Sequence, residues 1–426
     1  MNNYLAYLKA LRSPFQKLTK LDFLNDDNSV AFSLGNQYVQ GYNTIRDTRT
    51  FIQSGSLNVA LQNGMRRKAT VELSNENGYY DYAVNKLWFG QRLRLSMGLI
   101  LPDKTEFYLP QGVFYIKDQT SVYNPNARTV TIPLVDKWAY LDGELFGTLE
   151  NSYVIPVGTN IFDASRGIIR QSKFTQTLTD NPLEMVDCTQ PVFTDYYNGR
   201  SYTVPDGQGG TKTVPMTATG YTITGSRSGG KYSNLLLELN NQISGWMGYD
   251  QTGALRIDAS QDDIADEAKP ILWTFDPKNV QLLGISETAK NSEVYNDIIV
   301  VGEGLDGYEV VGRAQNFDPS SETNINLIGR KTLVENKSDF WNVQQCQDWA
   351  EWLLKRKTIL KKSISISSTQ MFHLYENGVV AIIRDDKEGS PLEKHLIQSY
   401  TLPLGETGQM TINATSVNDY PQLQVS

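Results

Sequence analysis

The sequence predicts a mainly β protein in which two β-barrel or β-sandwich domains flank a smaller α+β insertion. Three observations carry that expectation. Apolar and polar residues alternate between Asn28 and Gly143, the two-residue period of a sheet with one dry face. The strand signal returns after Asn296. Between them lie apolar residues at helical spacing, followed by short strand-like runs joined by turn residues. A chain of 426 residues also exceeds the roughly 250–300 at which single cores stop growing, so about two to four domains are expected.

Residues 1–20 read as an N-terminal helix or arm. Leu5, Leu8, Leu11, Phe15 and Leu18 fall near helical spacing, and Pro14, which lacks the N–H that a helix interior needs, cuts the helix short. The first β domain is set at 21–150. Leu57, Val59 and Leu61, then Ala69, Val71 and Leu73, then Leu93, Leu95, Met97 and Leu99 each mark one apolar face, with mostly Arg, Lys, Thr, Glu and Ser between them. Asn75–Gly78, Pro102–Lys104 and Asn124–Asn126 supply hairpin reversals. Gly112–Ile116 and Arg128–Leu134 close a domain of about 120 residues.

The α+β insertion is set at 151–285. Thr159 is the expected N-cap of a helix carrying Ile161, Phe162, Ala164, Ile168 and Ile169. A second helix from about Ser233 presents Leu235, Leu236, Leu239, Ile243 and Trp246, and Asp250–Gly253 then reverses the chain between two short strands. Between the helices, Tyr202–Pro205 and Thr213–Pro215 mirror each other around Asp206–Thr211, which predicts a protruding, mobile hairpin at about 200–216. The second β domain is set at 286–426, with strand signals at Ile298–Val301, Val310–Arg313, Ile364, Ile366, Gly378–Ile383, Leu396–Ile397 and Met410–Ala414. A helix at about 342–357, with Val343, Cys346, Ala350, Leu353 and Leu354 on one face and Lys355–Lys357 at its C-terminal end, is expected to pack against it.

Composition excludes much chemistry. The formal net charge of −8 is opposite to the basic footprint of proteins that grip nucleic acid. Cys188 and Cys346 are far apart and outside any CxxC pattern, which argues against a disulfide scaffold or zinc module and for a reducing or indifferent compartment. Two histidines, His373 and His395, are too few for triads or HExxH sites, so an enzyme would have to run on carboxylates or backbone. No window approaches 18 consecutive apolar residues and the first residues lack a continuous apolar stretch; a soluble protein not exported by a signal peptide is expected.

The remaining candidates read as ordinary structure. Asp26-Asp27, Asp262-Asp263 and Asp385-Asp386 could form a glycosidase pair, but charged doublets usually face water and none has calcium-loop spacing. Gly225–Gly230 and Asp206–Gly210 are glycine-rich without the strand, helix and Lys-Ser/Thr of a phosphate cradle. Cys346 behaves as a small hydrophobe, and His373, beside Phe372 and Leu374, as a packed or edge residue. Tyr79–Tyr82 and Tyr196-Tyr197 fit either sheet packing or a docking surface. No catalytic, cofactor-binding or metal-binding residue is assigned.

Several segments together resemble the hub proteins at the tip of bacteriophage tails, meaning the central baseplate hub of contractile tails and the structural N-terminal part of tail-associated proteins in long flexible tails. They are Arg66–Asn75 with Gly78–Tyr80, Leu87–Leu95, Gln111–Ile116, Asp136-Lys137, Trp246–Ile257, Asn296–Gly302, Ile328–Arg330 and Gln345–Ala350. The resemblance covers nearly the whole chain. It implies a homotrimer in which each chain contributes two tail-tube-like β domains, six in all, joining a sixfold tail tube to a threefold tip and giving DNA a passage. Implied partners are the tail tube or distal tail protein above, and a tip, spike or tape-measure protein below. The host surface would be reached through other tail proteins, and DNA would be met only in transit. The implied location is the virion tail tip, after synthesis in the host bacterial cytoplasm. Relatives often append a C-terminal peptidase, lysozyme-like or carbohydrate-cleaving domain; with the sequence stopping at Ser426, that activity is expected from another protein, and no family catalytic residue carries over. The rival reading is a receptor- or glycan-binding minor tail protein using the tyrosine clusters and the 202–215 hairpin.

Overall fold

The computed structural model describes residues 2–25, 29–36, 52–75, 78, 80, 91–118, 120–124, 127–171, 196–197, 199–206, 208–259, 269–279, 281–289, 291–358 and 362–417. The chain opens with α1 (Asn2–Ala10), which ends ahead of Pro14 and buries Tyr7, Ala10 and Leu11 while Tyr4 and Leu5 stay exposed. Eight strands follow: β1 (Lys17–Leu24), β2 (Val30–Gly35), β3 (Ile52–Ala60), β4 (Arg67–Ser74), β5 (Arg92–Ile100), β6 (Glu106–Ile116), β7 (Thr120–Asn124) and β8 (Ala127–Asp136). They pair antiparallel in the order β3-β4-β8-β6-β5-β1-β2, with β7 on β8. The alternation is realised in the register, which sets Ala69, Val71 and Leu73 opposite Leu134, Ile132 and Val130, all buried. Leu61 falls just past β3, its N–H donating to Gln398 O. Pro102–Lys104 and Asn124–Ala127 do reverse paired strands. The turn at Asn75–Gly78 does not, because β4 is already flanked by β3 and β8 and leaves no edge for β5.

The next stretch builds a second core. A single 3-10 turn at Lys137–Tyr140 leads to β9 (Tyr153–Ile155), α2 (Ile161–Gln171), β10 (Ser201–Pro205), β11 (Thr211–Pro215), β12 (Ile223–Gly225), α3 (Tyr232–Gln242), β13 (Gly245–Tyr249) and β14 (Leu255–Ala259). Trp138, Ile161, Ile168, Leu236, Leu239 and Met247 are buried together there. Asn160, rather than Thr159, caps α2. Its shorter reach to the first turn lets Oδ1 accept from the N–H groups of Phe162 and Asp163 at 2.9 and 3.2 Å, while the Thr159 hydroxyl donates to Pro156 O. Trp246 lies on β13 rather than on α3, since the chain leaves the helix through Ser244 at φ 52°. The 201–215 hairpin forms in the mirrored register, Ser201 opposite Pro215. It does not stand free: Tyr202 and Val204 are buried against Trp341.

The chain then returns to the large sheet with β15 (Ile271–Phe275) and β16 (Leu282–Ala289), so most of 269–285 lies outside the insertion's core. After them come β17 (Asp297–Glu303), β18 (Glu309–Gln315), β19 (Thr332–Asn336) and α4 (Val343–Lys357), and finally β20 (Lys362–Ser368), β21 (Val379–Ile383), β22 (Leu392–Pro403) and β23 (Met410–Ser416). Strands β15-β21-β22-β23-β20-β16 form the second half of the sheet. Strands β17 to β19 do not join it. They make a separate sheet, β18-β17-β19, and α4 packs on that sheet rather than on the second β half. Gly312 permits this contact: a Cβ there would lie 2.2 Å from the Cys346 backbone.

The two halves are continuous. Strand β22 pairs with β3, Leu402 opposite Leu57 and Tyr400 opposite Val59, giving one 14-stranded sheet. One buried cluster contains Leu57, Val71 and Phe114 from the first half and Ile366, Tyr400 and Ile412 from the second. The chain is thus mainly β, with both halves sharing a core. No helix among the described residues is long and apolar enough to cross a membrane.

Candidate functional site

The most elaborate polar arrangement is a junction around the loop between β3 and β4. Asp136, at the end of β8, accepts the backbone N–H groups of Arg66 and Arg67 at 2.9 Å each and that of Trp138 at 3.0 Å. It thereby caps the 3-10 turn that opens the insertion. Burial pushes its carboxyl up to about 6, against the pull of those three donors.

Held this way, the two arginines turn inward. Arg67 is fully buried; its guanidinium donates to Gln111 O at 3.0 Å and to the Tyr400 hydroxyl at 3.4 Å, and pairs with Glu376. Burial opposes its charge most strongly, but Glu376, Tyr400 and Asp250 together outweigh it and hold the guanidinium charged. Arg66 lies 3.9 Å from the other Glu376 oxygen and donates to Gln62 O at 3.0 Å. Gln111 continues the chain of contacts, donating to Phe372 O at 2.7 Å.

The insertion enters at the same point. Gly64 N–H donates to Met247 O at 2.9 Å, and Met247 N–H to Asn63 Oδ1 at 2.7 Å. Gly248 passes so close over Arg66 that a Cβ would sit 2.4 Å from its Nε. Arg66-Arg67, Asp136 and the 246–257 hairpin, three segments that carry the sequence resemblance, therefore meet in one place. Glu376 and Tyr400 complete it, and the sequence offered no signal for either. A buried arginine pair closed by one carboxylate can lock three units together.

The other candidates are dispersed. Asp386 is held by Arg384 at 2.8 Å and pulled down to about 2, and Arg384 also pairs with Glu287 and Glu393 at 2.9 and 3.2 Å. This is a salt-bridge network rather than a catalytic pair. Asp26-Asp27, Asp262-Asp263, Cys188, Tyr79 and Tyr82 lie outside the described residues. His373 sits between two partners, its Nδ1 accepting from the Tyr7 hydroxyl at 3.0 Å and its Nε2 donating to Leu272 O at 3.3 Å, and burial lowers it to about 4. His395 is buried 3.6 Å from Glu393 and lowered to about 4, chiefly by burial. Cys346, on α4, is buried against the β18-β17-β19 sheet, and that burial pushes its thiol up to about 11. Asp206 closes the hairpin turn by accepting from Gln208 and Gly210 N–H groups. Gly225–Gly230 joins β12 to α3 without a phosphate-cradle sequence. Tyr80 and Tyr197 are buried, and Tyr196 is half-buried.

Two open grooves, of about 420 and 380 Å³, lie beside the hairpin and beside the N-terminal connector. The first is lined by no carboxylate and the second by Glu406 alone, short of the two acids a glycosidase needs. Among the described residues no group of three or more His, Cys, Asp or Glu is placed to hold a metal ion.

Comparison with known proteins finds no matching family and no matching curated protein. Solved structures do match. A tail protein from Neisseria meningitidis MC58 superposes with a TM-score of 0.56 at 9% identity, covering 94% of this chain and 97% of that one. The 43 kDa tail protein of prophage MuSo2 from Shewanella oneidensis gives 0.48 at 12% identity, over 85% and 94% of the two chains. Prophage tail protein gp18 from Listeria monocytogenes gives 0.45 at 9%, over 96% and 95%. At 9% identity the likeness to the Neisseria protein is one of fold, and it extends over nearly the full length of both chains.

Proposed function

We propose that this chain, which has the fold of phage tail proteins, is a non-catalytic hub of a tail tip or baseplate. Three copies would form a ring whose six half-sheets continue a sixfold tube and end in a threefold tip. The observation that carries this reading is the end-to-end fold likeness to the Neisseria tail protein. The joined half-sheets, eight strands before the insertion and six after it, support it, because each chain offers two β units to a ring. The net charge of −8 per chain suits a passage for DNA, since a like-charged lining does not retain a polyanion.

Partners in this reading are the tube component above and a tip component below. Light scattering on the purified protein should give three times the chain mass, and antibody labelling of particles should mark the tail end. A strictly monomeric protein that is missing from tails contradicts the proposal, and so does a mapped lumen that is strongly basic.

A further inference from the structure

Strands β20 and β23 alternate strictly, Ser363, Ser365 and Ser367 with Ile364 and Ile366 on one, Thr411, Asn413 and Thr415 with Ile412 and Ala414 on the other. The apolar set enters the shared core, and the hydroxyls face away from it. Register carries this outer face across the seam between the two halves. One row runs Gly284, Ser367, Thr411, Thr401, Asn58 and Lys68, through six neighbouring strands from β16 to β4. The rows beside it, from Ser286 to Ala60 and from Pro403 to Pro133, hold serine, threonine, Asn413, Ala60 and the two prolines alone. Every residue of the three rows is half-buried or exposed. Thr401 donates to Asn58 Oδ1 at 2.9 Å, over the seam itself, and Asn413 to Ser399 Oγ at 3.1 Å, so side chains are tied to one another across the strands.

The face lacks what either ordinary setting of a sheet requires. Against another protein, a sheet buries apolar side chains, and these rows offer only Ala60 and two prolines. On an outer surface, strands carry charge, which keeps sheets from associating, as Glu303, Glu309 and Arg313 do on the exposed face of the β18-β17-β19 sheet. Lys68 is the one charge in the three rows, and Glu72, four residues on along β4 and on the same face, cancels it. A face of this composition stays wet yet holds neither apolar groups nor phosphates, since retaining a polyanion takes clustered Lys or Arg.

We propose that this hydroxyl face is the wall past which DNA slides, with both halves of each chain lining the bore of the ring. Its neutral side chains, pinned to one another or hydrated, form a smooth strip that gives phosphates no hold. This rests on the three-copy reading above and names the surface that meets the DNA.

The test places one cysteine in each half, Thr70→Cys or Asn413→Cys, in a Cys188→Ser background that leaves buried Cys346 as the other thiol. Both positions are exposed, so circular dichroism should match wild type; should one variant misfold, the other decides. In the free chain, N-ethylmaleimide and a maleimide carried on a globular protein wider than duplex DNA should both label either cysteine. In tails that have released their DNA, the small reagent should still label and the large one should not, the behaviour of a wet, enclosed wall. Labelling by both reagents puts the face on the outside of the tail, and protection from both puts it between proteins; either result overturns the assignment and leaves the hub reading intact. Thr70→Lys combined with Asn413→Lys should slow DNA release at least threefold at low salt and less at high salt, and unchanged release overturns the assignment as well. A chain missing from tails instead removes the hub reading itself.

Discussion

Arg67 heads the fully buried side chains by volume, and the energetics of the junction rest on its pairing with Glu376. Removing one member of a buried pair strands the other charge, so Glu376→Ala should cost about 3–5 kcal/mol in urea denaturation. Replacing both, as R67M/E376L, should cost much less, because no uncompensated charge remains. His373 gives a pH prediction. Its ring is packed against Tyr4 and Tyr7 of α1 and Trp273 of β15, with Arg12 over that tryptophan as the nearby charge. Its folded value is lowered from 6.5 to about 4, so the neutral ring is favoured: its contribution is complete above pH 6.5 and is lost as pH falls toward 4. The loss is about 3 kcal/mol. His395, lowered likewise, adds to the loss, whereas Asp136, raised to about 6, works in the opposite sense. The difference between wild type and His373→Gln therefore isolates the term, and the variant's stability should fall less steeply between pH 6.5 and 4. Arg66, Arg67 and Asp136 could be singled out in the sequence. Glu376 could not, since it lies 309 residues from Arg67 in a segment, Tyr375–Gly378, that reads as an ordinary turn.

At the scale of elements, two close approaches can be tested. A Cβ on Gly312 would meet the α4 backbone at 2.2 Å, so Gly312→Ala should lift α4 from its sheet and cost about 1–3 kcal/mol. The readout is faster hydrogen exchange in Val343–Lys357 with little change in β20–β23. Trp341→Ala should undock the 201–215 hairpin, and the amides of β10 and β11 should exchange faster. The same regions show what sequence patterning can and cannot convey. Period two marks β20 and β23, short apolar runs mark β17 and β18, and helical spacing marks α2, α3 and α4. None states which strand a strand will pair with, so the pattern that groups β17 and β18 with the second β half does not reveal that they form a sheet of their own. The run Ile298–Val301 did hold a clue, since strands of a one-faced sheet alternate and this one does not. The hairpin's docking was hidden because Tyr202 and Trp341 are distant in sequence and each suits a surface as readily as a core.

For the whole molecule, the seam between β3 and β22 governs cooperativity. Leu402 and Leu57 are buried opposite one another there. Leu402→Ala should cost about 2–5 kcal/mol, and exchange should quicken together in β1–β8 and β20–β23, whereas halves joined only by a linker would respond separately. This seam also bears on mechanical behaviour. A joint made of main-chain hydrogen bonds in fixed register has no hinge, so the angle between the two halves is chosen during folding and not by whatever docks later. In the proposed hub, a load along the tail would meet a stiff bracket at this point, and flexing would fall to the contacts between copies.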